Sequence, residues 1–231
     1  MIFRFILLYT ACLTPLSSQW ISFDLEKADV TAFKKQVEPT IVSSALTGGR
    51  STMLSLSQNQ RFGIAVSIPL GWTFVSSYQS NPLLQPFIIE GQFLLTENLV
   101  LNGKMNMFSI GETSVHAAGY GCNYFGETGF TSVSLGWLEG PQHLRIRYAD
   151  IAFIMKKYIS EIPLFLGVGF DDYKGSILKI DDENIPKSIT GSMTYLITGT
   201  TFQVYGTDIE FQTQLHSKFL QLNVTFSRLF F

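Results

Sequence analysis

The stretch Arg61-Phe62-Gly63-Ile64-Ala65-Val66-Ser67-Ile68-Pro69-Leu70 divides into two faces when read in steps of two. Phe62, Ile64, Val66, Ile68 and Leu70 fall on one side; Arg61, Gly63, Ala65, Ser67 and Pro69 fall on the other. Successive side chains of a β-strand point to opposite faces, so the segment reads as a strand with an apolar surface backed by a small or polar one.

The same period of two recurs along most of the chain. Phe87, Ile89, Phe93 and Leu95 oppose Glu90, Gln92 and Leu94, and after Thr96-Glu97-Asn98 the residues Leu99, Leu101, Met105 and Met107 oppose Asn102, Lys104 and Asn106. Two strands joined by so few residues form an antiparallel hairpin. Further on, Val133, Leu135 and Trp137 oppose Ser132, Ser134 and Gly136, and Leu164, Leu166, Val168 and Phe170 oppose Phe165, Gly167, Gly169 and Asp171. Met193, Tyr195 and Ile197 oppose Ser192, Thr194 and Thr198, while Ile209 and Phe211 oppose Asp208, Glu210 and Gln212. Segments of about ten residues with alternating hydrophobicity are the signature of membrane-crossing strands. The pattern predicts an all-β fold, an antiparallel transmembrane β-barrel of roughly 10–12 strands. A soluble ligand-binding barrel alternates as well, with its apolar face turned inward, and alternation alone does not choose between the two.

Composition supports the membrane orientation. Charged residues make up 15% of the 231, against about 25% in soluble domains, as suits an outer surface in contact with lipid. The net charge of −2 provides no field to attract nucleic acid. Residues 1–19 carry Arg4, the apolar run Phe5 to Leu8 and small residues near Ser18, the organisation of a secretory signal peptide. Removal of that segment takes Cys12 with it and leaves Cys122 without a disulfide partner. Residues 20–50 form a helical segment: Leu25, Ala28, Ala32, Phe33 and Val37 recur at helical spacing. Pro39 is expected to end or kink this amphipathic helix, a second short helix carries Ile41, Val42, Ala45 and Leu46, and Gly48-Gly49 stops it. The expected role is a packing helix at one end or along an interior wall of the barrel, or alternatively a plug. The barrel occupies residues 51–231.

The closing stretch Phe226-Ser227-Arg228-Leu229-Phe230-Phe231 resembles the terminal signal by which outer-membrane barrels are recognised for insertion. The resemblance implies outer-membrane lipid and the barrel-insertion machinery, acting on Leu220–Phe231, as partners, in a Gram-negative-type bacterium. The layout as a whole looks like a group of uncharacterised outer-membrane barrels with a helical N-terminal segment. An amphipathic helix leads into RFGIAVSIPLG, then a QPFIIEGQFLLTENLVLNGKMNMF hairpin, a glycine-bearing AAGYGCNYF strand and a later IPLFLGVGF strand. There is a looser similarity to long-chain fatty-acid transporter barrels. This likeness implies fold and compartment and supplies no activity.

Chemistry is sparse. Glu112, Ser114 and His116 share a strand face, but no nucleophile elbow accompanies them, and the three histidines show no metal-ligand spacing. No phosphate-cradling loop or cofactor fingerprint is present. His143, Arg145 and Arg147 share a face and, with Glu90, Gln92, Lys104, Asp208, Glu210 and Gln212, are expected to point into the lumen, as a constriction or as interior ion pairs. The sequence predicts a non-enzymatic, porin-like or transport barrel for small or hydrophobic solutes. The alternatives are a structural or surface-interaction barrel with a closed core and a soluble periplasmic ligand-binding barrel.

Overall fold

The computed structural model describes residues 30–54, 56–74, 83–84, 87–110, 113–140, 144–177 and 187–230; the expected signal peptide and His143 lie outside them. One helix, α1 (Val30–Gly49), precedes the strands β1 (Phe62–Thr73), β2 (Leu83–Leu84), β3 (Ile88–Leu94), β4 (Leu99–Ile110), β5 (Thr113–Phe125) and β6 (Gly129–Glu139). Then follow β7 (Leu144–Ile159), β8 (Ile162–Ile177), β9 (Ser188–Val204), β10 (Thr207–Leu215) and β11 (Phe219–Phe230). Each strand from β3 to β11 pairs antiparallel with the next in sequence. β1 then closes the ring on β11 from Phe62↔Phe230 to Thr73↔Phe219. β2 and β3 share the other edge of β1, so the wall has ten strand positions. Pairing of β1 with β11 joins the first strand to the last along their whole length and so removes the open edges that a sheet cannot expose to lipid.

The up-and-down order gives the barrel two unlike ends. One end carries the connections 95–98, 126–128, 160–161 and 205–206 together with the start of β1 and the end of β11. At one of its two-residue turns, Tyr205 and Gly206 have φ of 51° and 77°, the left-handed pair of a type I′ hairpin, which glycine enters at little cost. The opposite end carries the longer connections 74–87 and 178–187. These are called here the turn end and the loop end.

The orientation is that of a transmembrane barrel. Phe62, Ile64 and Val66 of β1, Ile89 and Phe93 of β3, Leu101 and Met105 of β4, and Leu135 of β6 are exposed on the outside. Their alternates Ser67, Glu90, Gln92, Asn102, Lys104 and Ser134 are buried inside. An apolar exterior around a polar interior inverts a soluble protein, so the soluble ligand-binding alternative is corrected: its apolar face would have to line the cavity. Aromatic side chains Phe62, Phe93, Tyr124, Tyr158 and Phe202 gather toward the turn end on the outer surface, where amphipathic rings sit well at a lipid–water boundary.

Two expectations are corrected by what lies inside. Pro39 neither ends nor divides the helix; α1 runs unbroken through it. A proline within a helix costs about 3 kcal/mol through its missing N–H and a clash, and here the surrounding wall supplies the packing that holds the helix together. Arg145 and Arg147 point outward, with Arg145 paired to Glu139 at 2.8 Å. Their alternates Leu144, Ile146 and Tyr148 face inward and join a core cluster with Val37, Ile41, Val42, Ala45 and Leu46 of α1. The apolar face of β7 near the loop end therefore belongs to the helix, and its polar face belongs to solvent. The same inversion puts Met193, Tyr195 and Ile197 of β9 inside, with Thr194 and Thr198 outside.

The belt can be tested by charge. Leu135→Arg, on the lipid side of β6, should destabilise the barrel by about 2–4 kcal/mol near the bilayer midplane, whereas Arg147→Leu, above the belt, should change stability by less than about 0.5 kcal/mol. Urea unfolding in phospholipid vesicles measures both, and equal effects would place the belt elsewhere.

Candidate functional site in the barrel lumen

From Val37 onward α1 is buried on nearly every side, and the segment after it continues down the lumen. Ile41 lies against Gly175 near the loop end of β8, Gly48 against Tyr148, Gly49 against Asp150, and Leu54 near Gly63 at the turn end. The chain thus threads the barrel as a plug before it turns into β1.

The plug fits because the wall is cut away to receive it. Tyr148 lies across Gly136 of β6, its register partner, and also reaches Gly119 of β5 and Gly48 of the plug; a Cβ at Gly136 or Gly48 would overlap the ring, and one at Gly119 its hydroxyl. Tyr195 lies in the same way over its partner Gly169, and Tyr173 over Gly191. Such aromatic-over-glycine pairs fill the space that a side chain would otherwise take.

A helix leaves its last carbonyls without partners and carries partial negative charge at that end. Both needs are met here by the wall. Lys104 of β4 donates to the carbonyls of Gly48 (2.8 Å) and Arg50, and the Ser134 hydroxyl donates to the carbonyl of Gly49 at 2.9 Å.

Below the helix the lumen turns polar around Arg50, whose side chain is only 2% exposed. Its Nη1 donates to Thr225 Oγ1 at 3.0 Å and to Glu210 Oε1 at 3.4 Å; its Nη2 donates to Ser67 and lies 3.8 Å from Glu90 Oε2. Those four partners sit on β11, β10, β1 and β3, four consecutive positions of the wall. Ser67 and Thr225 are register partners across the closing β1–β11 pair, and their hydroxyls lie 3.1 Å apart. One guanidinium therefore spans the joint at which the first strand meets the last. Its planar fork of donors can engage several acceptors at once, which an ammonium of similar reach does less well. The carboxylates are held in turn: Met53 N–H donates to Glu210 Oε2 at 2.8 Å, and Gln92 Nε2 donates to Glu90 Oε1 at 2.7 Å and to Thr52 Oγ1 at 2.6 Å. Ser51 bonds Ser132, and Gln221 donates to Thr47.

Of the residues expected to face the lumen, Glu90, Gln92, Lys104, Glu210 and Gln212 lie inside and buried. Asp208 is half-buried near the turn end, and Arg145 and Arg147 lie outside. The interior cation that the sequence reading passed over is Arg50. Its only local signal was a single arginine between Gly48-Gly49 and Ser51-Thr52, ahead of the first strand. Asp150 and Asp171, register partners on β7 and β8, are also buried inside; Tyr195 donates to Asp150 Oδ2 at 2.6 Å. Among the described residues no group of three His, Cys, Asp or Glu side chains is placed to hold a metal ion. His116 lies on β5 with Glu139 as its register partner, whereas Glu112 and the side chain of Ser114 fall outside the described residues.

No protein-family model and no curated protein matches the chain. Solved structures with overall likeness are outer-membrane proteins. The attachment invasion locus protein Ail of Yersinia pestis is 9% identical with a TM-score of 0.27, covering 74% of this chain and 97% of that one. A bacterial polysaccharide outer membrane secretin is 8% identical with a TM-score of 0.37, covering 75% and 99%. The N-terminal β-barrel domain of Pseudomonas aeruginosa OprF is 12% identical with a TM-score of 0.26, covering 75% and 100%. Superpositions this loose carry no argument about the present chain; the barrel assignment rests on its own ring closure and its inside-out polarity.

Breaking a buried ion pair by removing one partner leaves an uncompensated charge and costs about 3–5 kcal/mol. Arg50→Ala should lower the unfolding free energy of the folded barrel by that amount. Adding Glu90→Gln and Glu210→Gln to it should recover roughly half, because the stranded carboxylates are then gone. Urea titrations in vesicles read both values, and an Arg50→Ala barrel of unchanged stability would refute the assignment.

Proposed function

We propose that this protein is a non-enzymatic outer-membrane β-barrel with a closed core, acting through what it presents at its ends rather than through passage of solutes. The observation that carries this reading is the plug: α1 and Arg50 to Leu54 occupy the lumen, the helix packed on the wall by apolar contact from Val37 and the residues from Thr47 onward hydrogen-bonded to it. A surface notch of about 400 Å³ lies beside Phe74, Leu196, Leu215 and His216 at the loop end.

Several features support the compartment. The belt is apolar with aromatic residues gathered at the turn end, the two longest connections, 74–87 and 178–187, share the other end, and the last strand closes on aromatic residues. In barrels of this kind the longer loops face outward from the cell, so the loop end becomes the surface end. There β7, β8 and β9 continue above the belt with Arg147, Asp172, Lys174, Thr190 and Ser192 directed outward, a polar collar suited to contact with other molecules. The strand Leu220–Phe231 is the proposed contact for the insertion machinery, and outer-membrane lipid covers the belt.

A porin-like or transport role is the second reading, and one observation favours it. The polar wall is larger than the plug satisfies: Asn102 Oδ1, Asn106 Oδ1, Asn123 Nδ2 and Gln212 Oε1 have no hydrogen-bond partner among the described residues. Groups of this kind are at home beside water. Glu90, Gln92, Lys104, Glu210 and Gln212 would line such a path once the plug had moved.

Single-channel recording separates the two. The intact chain in a planar bilayer should give no steady conductance, and a variant lacking residues 30–49 should open one. Steady conductance from the intact chain would overturn the closed-core reading in favour of the pore.

A further inference from the structure

The direction in which the plug runs fixes something that ten strands alone would not. β1 leaves from the turn end and β11 returns to it, so the strands bring the chain back to the face from which they set out. The plug runs the other way. Its last residues lie near the turn end, where Leu54 meets Gly63. Its middle reaches the centre of the barrel, where Gly49 meets Asp150. Its earlier turns lie at the loop end: Ile41 packs on Gly175, two residues from the end of β8, and Glu38 is 3.9 Å from Lys218 in the β10–β11 turn. From Glu38 back to Val30 the helix continues in the same direction, at about 1.5 Å per residue.

We propose that the chain enters the barrel through the mouth at its loop end, so that Val30, the first residue of α1, is reached from the same side of the membrane as the end of β8 and the start of β9, opposite the end of β11. The plug is then an additional crossing made through protein instead of lipid. This suits a segment that is not apolar enough to cross a bilayer as a free helix. The inference rests on the transmembrane barrel and on the direction of α1; it holds whether or not the lumen can open.

The test is one of sidedness. A short epitope is inserted immediately before Val30, within 178–187, or within the 126–128 turn of the full chain. Each version is checked for a folded barrel by its altered mobility on an unboiled denaturing gel. Antibody binding and protease digestion on intact cells, and again on disrupted cells, then report which epitopes share a face. The expected result is that the epitope before Val30 is reached together with that in 178–187, while that in 126–128 is reached only after disruption. A second version with the epitope before Asp24 guards against disturbance of the helix start. Access to the N-terminal epitope only together with 126–128, or its protection in both insertions while 178–187 is cut, would overturn the proposal. Conductance plays no part in these readouts, so a failure of the closed-core reading would be seen separately.

Discussion

A single buried guanidinium holds the joint on which the barrel depends. A cylinder made from one sheet has to bring its first strand to its last, and that contact joins the most distant parts of the chain. Arg50 lies under it, bonded to one hydroxyl on each side and flanked by a carboxylate on each adjoining strand. Burying a charge is expensive unless it is paired and hydrogen-bonded. The arrangement here turns that expense into specificity, because Arg50 is satisfied only when β10, β11, β1 and β3 stand in the right order and register. The plug is thus more than a stopper. It is the element that the closing strands recognise.

The two halves of the lumen are held by different physics. Toward the loop end, α1 packs by apolar contact and by tyrosine rings laid over glycines. Toward the turn end, the extended residues after Gly49 are held by hydrogen bonds from side chains of the wall. The change comes where the helix stops, since a helix satisfies its own backbone and an extended segment cannot. Lys104 stands at that transition and serves both, through one carbonyl at the helix end and one beyond it.

How much of this could be read from the residues depends on what each face meets. For β1, β3, β4 and β6 the outward face meets lipid and the inward face meets polar groups, so alternation gave the strand, and the low charge and terminal aromatic residues gave its orientation. For β7 the same alternation gave the strand but the wrong side. Leu144 and Ile146 are apolar because a helix lies inside them, and Arg145 and Arg147 are charged because they stand above the lipid. A period of two cannot report which apolar partner a face will find. Pro39 misled for a related reason, since its local preference yields to packing from all sides. Arg50 was illegible because its partners are remote, Thr225 being 175 residues away; nothing in a short window announces such a contact. The glycines at 48, 119 and 136 were visible as glycines, but only the position of Tyr148 explains them.

The tyrosine-over-glycine pairs have a consequence for how the ring is filled. Three rings lie flat across neighbouring strands between β6 and β9, and each is a rigid plate bridging two strands where a smaller side chain would leave a hinge. The arc from β10 through β11 and β1 to β3 has no tyrosine laid over glycine among the described residues; inside its backbone ladders it is filled by hydrogen-bonded side chains, and outside Phe62 meets Phe230. The two sides of the ring are therefore packed by different means, so trimming side-chain volume acts on the first and removing a donor or acceptor acts on the second.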